Sequence, residues 1–267
     1  MNLDLSEHAG LPIHLTPAPQ LEFGAGVVVD EFKIRHFSEL SAVYLDLSVA
    51  GDEAAYFMYN GVYREADAPL LAEAGLRYEL TLFPDRRIGH EYVKTLGHLH
   101  AAEPQSGIDY PEICEVLHGV AHFFFQKFGA APHTALEAFY VEVHSGEKII
   151  IPPGYHHLTI NPGPGPLLFS DVVAPGVSGL YEDFKQAGGA AYLEVEKAGG
   201  AQFVPNPRYS AAPPLARLRP RQFPDLNLSP AQPLYQALLE RRGAGWEFLR
   251  QPAQFQAQWT GQDVFIA

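Results

Sequence analysis

Between residues 77 and 173 the chain passes through eight short segments that share one character. They are Arg77–Phe83, His90–Thr95, Glu112–His118, Ala121–Lys127, Ala138–Val143, Lys148–Ile151, His157–Asn161 and Leu167–Val173. Each is rich in Val, Ile, Phe, Tyr or Thr, which favour a pleated backbone, and each is bounded by Gly, Pro or Asp. Eight short strands at this spacing, with scarcely a helix among them, predict an all-β barrel or jelly roll. Alternating apolar residues in Ala42–Leu47 and Ala55–Val62 predict further strands on the amino-terminal side.

A helical stretch is expected at Gly179–Ala187, and the composition changes after Asn206–Tyr209. Residues 211–233 are Pro-rich, Gln232–Arg242 reads as a short helix, and Gln251–Gln262 with Trp259 reads as a surface-hugging tail. The expected organisation is therefore one barrel domain over residues 1–210, with its core motifs in 77–175. Residues 211–267 form a Pro/Gln-rich, partly helical carboxy-terminal extension, too weakly periodic to build a core of its own. The formal net charge of -13 argues against nucleic acid and membrane surfaces as partners. It leaves room for an anionic substrate, because a metal ion and oriented amides reverse the potential locally. A single cysteine, Cys114, rules out an intramolecular disulfide. Met1–Leu15 lacks a basic start followed by an apolar stretch, and no apolar run approaches the ~20 residues that span a bilayer. The expected location is cytoplasmic.

Chemistry concentrates in two places. In Thr95-Leu96-Gly97-His98-Leu99-His100 two imidazoles stand two residues apart, so on a strand both rings face one side. The stretch from Gly146 through Pro152, Gly154 and His157 to Asn161 fits the pattern G-x5-P-x-G-x2-H-x3-N. Its Pro and Gly make a turn that feeds a strand carrying His157 inward. Neighbours on a strand point to opposite faces, so His156 is expected to face outward or lie at the core edge rather than beside His157. Lys94, next to Thr95, is expected to face away from it for the same reason.

Together these segments resemble the two motifs of the cupin superfamily, the first of which reads G-x5-H-x-H-x3-4-E-x6-G. The resemblance implies a double-stranded β-helix, or jelly-roll, barrel holding one divalent metal ion. His98, His100 and His157 match the metal histidines directly. Of Glu103, Glu112 and Glu115, only Glu112 has six residues before a glycine, Gly119, so Glu112 is the implied fourth ligand. Ala101–Pro111 is then an inserted loop at the barrel mouth, and Tyr92 stands where the motif begins with glycine. Nitrogen and oxygen ligands without thiolate suit Fe, Mn, Ni, Co or Zn.

A narrower resemblance covers roughly residues 40–210. The stretches Leu80–Pro84, Lys94–His100, Pro111–Ile113, Pro152–Asn161 and Asn206–Tyr209 are similar to the archaeal-type cupin glucose-6-phosphate isomerases. This implies a metal-dependent aldose–ketose isomerase interconverting glucose 6-phosphate and fructose 6-phosphate, with Glu112 as the candidate proton-shuttling base and a hydride shift between C1 and C2, needing only the metal, as the competing route. It also implies that Thr81, Thr95 and Gly97 line a phosphate pocket and that Tyr181 lies beside the substrate. Two positions depart from that family, Cys114 for a tyrosine and Gly179 for a histidine, which leaves a related sugar phosphate as the alternative substrate. Tyr110 on the inserted loop is a candidate to restore the lost hydroxyl. An Fe(II) oxygenase and a non-catalytic sugar-binding cupin use similar residues and are the competing expectations. The expected partners are a small sugar phosphate and a second copy of the chain in a homodimer.

Overall fold

The computed structural model describes residues 2–46, 52–255 and 264–267. Its main strands are β1 (Val27–His36), β2 (Ala54–Arg64), β3 (Arg77–Phe83), β4 (Glu112–His118), β5 (Val120–Phe128), β6 (Ala135–His144), β7 (Lys148–Ile151), β8 (His156–Ile160), β9 (Leu167–Val173), β10 (Ala216–Pro220) and β11 (Phe265–Ile266). They build two large sheets, the first in the order β7-β4-β9-β3-β2-β1 and the second in the order β8-β5-β6-β10-β11. Aromatic side chains close the space between them, as where Phe123 of β5 meets Phe169 of β9 edge-on at 5.7 Å. The architecture is the all-β barrel that the strand pattern predicts.

The helices α1 (Glu182–Ala187) and α2 (Leu234–Arg241) lie close to their sequence-predicted positions. The segment Ala42–Leu47 does not form the expected strand. Residues Phe37–Val43 make a 3-10 helix, whose start is closed by Glu39 accepting the His36 amide at 2.8 Å. Phe37, Leu40 and Val43 are its buried residues, a spacing of three that matches 3-10 geometry rather than a strand. Leu47 lies outside the described residues. His90–Thr95 is mostly extended loop, with only Glu91–Tyr92 paired as a strand and Lys94 bridging to Ile160.

Strand β9 is buried at all seven positions. A strand lacks alternation when both of its faces are covered, and here the second cover is the carboxy-terminal segment. Tyr235 of α2 packs edge-on against Tyr78 of β3 at 5.2 Å, on the face turned away from the barrel interior. Trp246, Phe248 and Leu249 are fully buried in the same cover. Strand β10 extends the second sheet by pairing parallel with β6, and β11 pairs with β10. Phe265 reaches Phe125 and Phe139 at 4.9 and 5.3 Å. Residues beyond 211 thus share the barrel's core. Trp259 lies outside the described residues.

Candidate metal centre and substrate cavity

His98 and His157 sit directly opposite one another, exchanging backbone hydrogen bonds of 3.0 and 2.9 Å. His100 follows on a two-residue strand, Leu99–His100, that pairs with Gly179–Leu180. The chain turns into this pair through Gly97, whose φ of +79° is a left-handed conformation. A Cβ there would also lie 2.6 Å from the Phe184 ring. Glycine at 97 therefore has a steric cause independent of any ligand. The three ring centroids are 4.5, 4.8 and 5.0 Å apart, and one nitrogen from each ring can be chosen so that all lie within 4.8 Å. Glu112, first residue of β4, brings Oε2 to 3.1 Å from His100 Nε2 and 3.9 Å from His157 Nε2.

Two of the rings are oriented from behind. His100 Nδ1 bonds the Tyr110 carbonyl at 2.7 Å, and His157 Nδ1 bonds the Tyr155 carbonyl at 3.2 Å. A ring that donates its Nδ1 proton to a carbonyl turns a lone pair on Nε2 inward, which is how metal-binding histidines are held. Burial drives the pKa of His98 and His157 well below the ordinary value, with neighbouring histidines adding to the effect. Burial opposes charge on His100 too, but the Glu112 carboxylate outweighs it and raises the pKa. Converging lone pairs, a facing carboxylate and fixed tautomers suit a divalent cation of the Fe, Mn, Ni, Co or Zn type. The Tyr110 hydroxyl is not among the cavity-lining groups. That residue serves the site through its backbone carbonyl.

The centre opens into a cavity of about 400 Å³. Thr81, Thr95, Gly97 and Tyr181 all line it together with the three histidines and Glu112. Thr95 Oγ1 also accepts the Thr159 amide at 3.0 Å, a structural duty that leaves its proton to donate. Tyr181 stands 5.5 Å from the His98 ring. It fills the space that a side chain at Gly179 would need, since a Cβ there would lie 2.7 Å from the tyrosine ring. His156 faces away and bonds Asp183 Oδ2 at 2.7 Å, while buried Lys94 pairs with Glu91. Both follow the strand alternation.

No sequence motif marks the far wall of this cavity. Strand pairing aligns Glu79, Asp171 and Cys114 across β3, β9 and β4. Burial pushes both the Glu79 and Asp171 carboxyls up. The Glu112 charge raises them further, although Arg77 beside Glu79 pulls the other way. Cys114 donates to Glu112 Oε1 at 3.0 Å, and burial holds its thiol well above the ordinary range. Cys114 is therefore a positioning group for Glu112 rather than a nucleophile. Arg35 and Tyr56 also line the cavity.

A two-sheet β-barrel with three convergent histidines and a glutamate lining its cavity defines a cupin-type protein. Within that class the chain belongs to the glucose-6-phosphate isomerase family, whose profile, described as "Glucose-6-phosphate isomerase (GPI)", matches residues 34–208. The glucose-6-phosphate isomerase of Thermococcus litoralis is 25% identical over 197 residues, covering 71% of this chain and 94% of the relative. That of Pyrococcus horikoshii is 24% identical over 197 residues, covering 71% and 95%. Among solved structures, a sugar phosphate isomerase of the cupin superfamily from Silicibacter pomeroyi aligns at a TM-score of 0.31 and 16% identity, covering 57% of this chain and 77% of that one. That structural likeness is weak.

Proposed function

We propose that this chain is a metal-dependent isomerase of glucose 6-phosphate and fructose 6-phosphate. The observation that carries the reading is the meeting, in one cavity, of the histidine cluster and Glu112 with Thr81, Thr95 and Gly97. His98, His100, His157 and Glu112 would hold the ion. A bound divalent cation supplies an electrophile that polarises the sugar carbonyl and stabilises the enediolate. Glu112 would take the proton from C2 of the aldose and return it to C1 of the cis-enediol, the sugar's hydroxyl proton passing from O2 to O1. Thr81 and Thr95 hydroxyls and the Gly97 amide would donate to the phosphate, and Tyr181 would stand against the sugar.

The test is a coupled assay of fructose 6-phosphate conversion without dioxygen, before and after chelation and after return of Mn(II), Fe(II), Ni(II), Co(II) or Zn(II). We expect turnover to vanish on metal removal and to return with at least one of these ions. Full activity in a preparation shown to be metal-free would overturn the metal's role. No conversion with any ion would overturn the isomerase reading. A cytoplasmic homodimer acting on a small sugar phosphate belongs to the same proposal, and light scattering on the purified chain tests the dimer.

A further inference from the structure

Arg35 has no part in the chemistry of proton transfer. It stands on β1 opposite Tyr56 on β2 and lines the same cavity as Thr81, Thr95 and Gly97. Its Nη1 donates to Glu39 Oε1 at 2.9 Å. Nε is buried and has no partner among the described residues. A buried donor without an acceptor costs free energy until one arrives. The Glu39 contact does not close the site, because that carboxylate is 44% exposed and also accepts the His36 amide. A screened surface pair of this kind exchanges readily for a better anion.

The other basic groups of the cavity are engaged by carboxylates. Lys33 lies 2.7 Å from Glu31, and Arg77 lies 3.0 Å from Glu79, among the carboxylates of the far wall. Arg77 also has an unpartnered Nε, but its acidic neighbours repel an incoming anion. Arg35 stands outside that wall. The hydroxyl of Tyr56, opposite Arg35 in the strand register, accepts the Leu96 amide at 3.4 Å, and Leu96 lies between Thr95 and Gly97. Tyr181 stands 5.9 Å from the Arg35 guanidinium and 5.5 Å from the His98 ring, so cation and histidines are one aromatic ring apart.

We propose that Arg35 binds the phosphate of the substrate, as the charged donor beside the neutral donors Thr81, Thr95 and Gly97. The assignment rests on the reading of this cavity as a sugar-phosphate site. A chain of net charge -13 repels a dianion at long range, and a guanidinium inside the cavity reverses that sign locally. Its planar fork makes paired, charge-assisted bonds to phosphate oxygens, whereas lysine offers only a point charge.

The experiment compares wild type, Arg35→Gln and Arg35→Lys, each with metal content and circular dichroism recorded. Inorganic phosphate is titrated into each, and KM and kcat are measured for fructose 6-phosphate. We expect Arg35→Gln to weaken phosphate binding by at least about tenfold, the lower range for a charge-assisted bond. Most of its kinetic loss should fall in KM, with Arg35→Lys between the two. Phosphate affinity and KM unchanged in a folded Arg35→Gln protein would overturn the assignment, as would a wild type that binds no phosphate. Failure of the isomerase reading looks different: wild type would bind phosphate through Arg35 yet convert no sugar.

Discussion

Glu112 is held on both oxygens, by the Cys114 thiol on one and by the imidazole cluster on the other. A carboxylate fixed in this way can be both a ligand and a base, and conservative changes separate the roles. Glu112→Gln keeps the size and one oxygen but cannot accept a proton. It should retain most of its metal and lose roughly 10²-fold or more in turnover, the usual worth of a positioned base. Sugar deuterated at C2 gives an independent reading, since proton transfer lets some label exchange with solvent. Near-normal turnover with full label retention would leave a hydride shift as the route. His157→Ala, by contrast, should lower metal content and turnover together. The two histidine segments and Glu112 are legible in the sequence because each is defined by local spacing: two residues, a Pro-Gly turn, six residues to a glycine. Arg35, Tyr56, Glu79 and Asp171 are not. They meet only through strand register between segments far apart in the chain, and no short-range pattern encodes that register.

At the scale of elements, the first sheet owes its stability to being covered twice. On its outer face Glu115 of β4 and Lys148 of β7 form a fully buried ion pair of 2.7 Å. Glu115 also accepts the Leu234 amide at 2.6 Å, where α2 begins, and Lys148 donates to the Ser229 carbonyl at 2.8 Å. Removing either partner strands a buried charge, so Glu115→Ala or Lys148→Met alone should cost about 3–5 kcal/mol of unfolding free energy. The double variant should recover a good part of that, as read by denaturant unfolding in a double-mutant cycle. Burial pushes the Glu115 carboxyl up from 4.5 to about 7 in spite of Lys148. A raised folded pKa means the folded state holds the proton more tightly. The associated stability is full below pH 4.5 and falls as pH rises through about 7. Glu115→Gln should flatten that slope in thermal melts across this window. The strands at 77–83, 148–151 and 167–173 coincide with their expected limits, because Gly, Pro and charged residues punctuate them. The 3-10 helix at Phe37–Val43 escapes a pattern reading because seven residues are too few to establish a period of three.

For the molecule as a whole, the carboxy-terminal segment is part of the barrel, covering the outer face of the first sheet with α2 and extending the second sheet with β10 and β11. Its apolar anchors, Tyr235, Trp246, Phe248 and Phe265, lack a common period, which is why its role is not legible in the sequence. Deleting residues 211–267 should uncover Tyr78, Phe125 and Phe139 and lower the melting temperature by well over 10 °C, given how many large side chains lose their cover. A truncated protein that melts like the full chain would show the segment to be dispensable. The histidines and Glu112 make a different kind of tie. His157 stands on the second sheet, Glu112 on the first, and His98 and His100 on the strap between them. An ion held by all four would add a tie between the two sheets. By mass action every tenfold rise in free metal above its dissociation constant adds about 1.4 kcal/mol to the folded state. If such an ion is bound, the metal supply would set the resistance of this protein to unfolding as well as its rate.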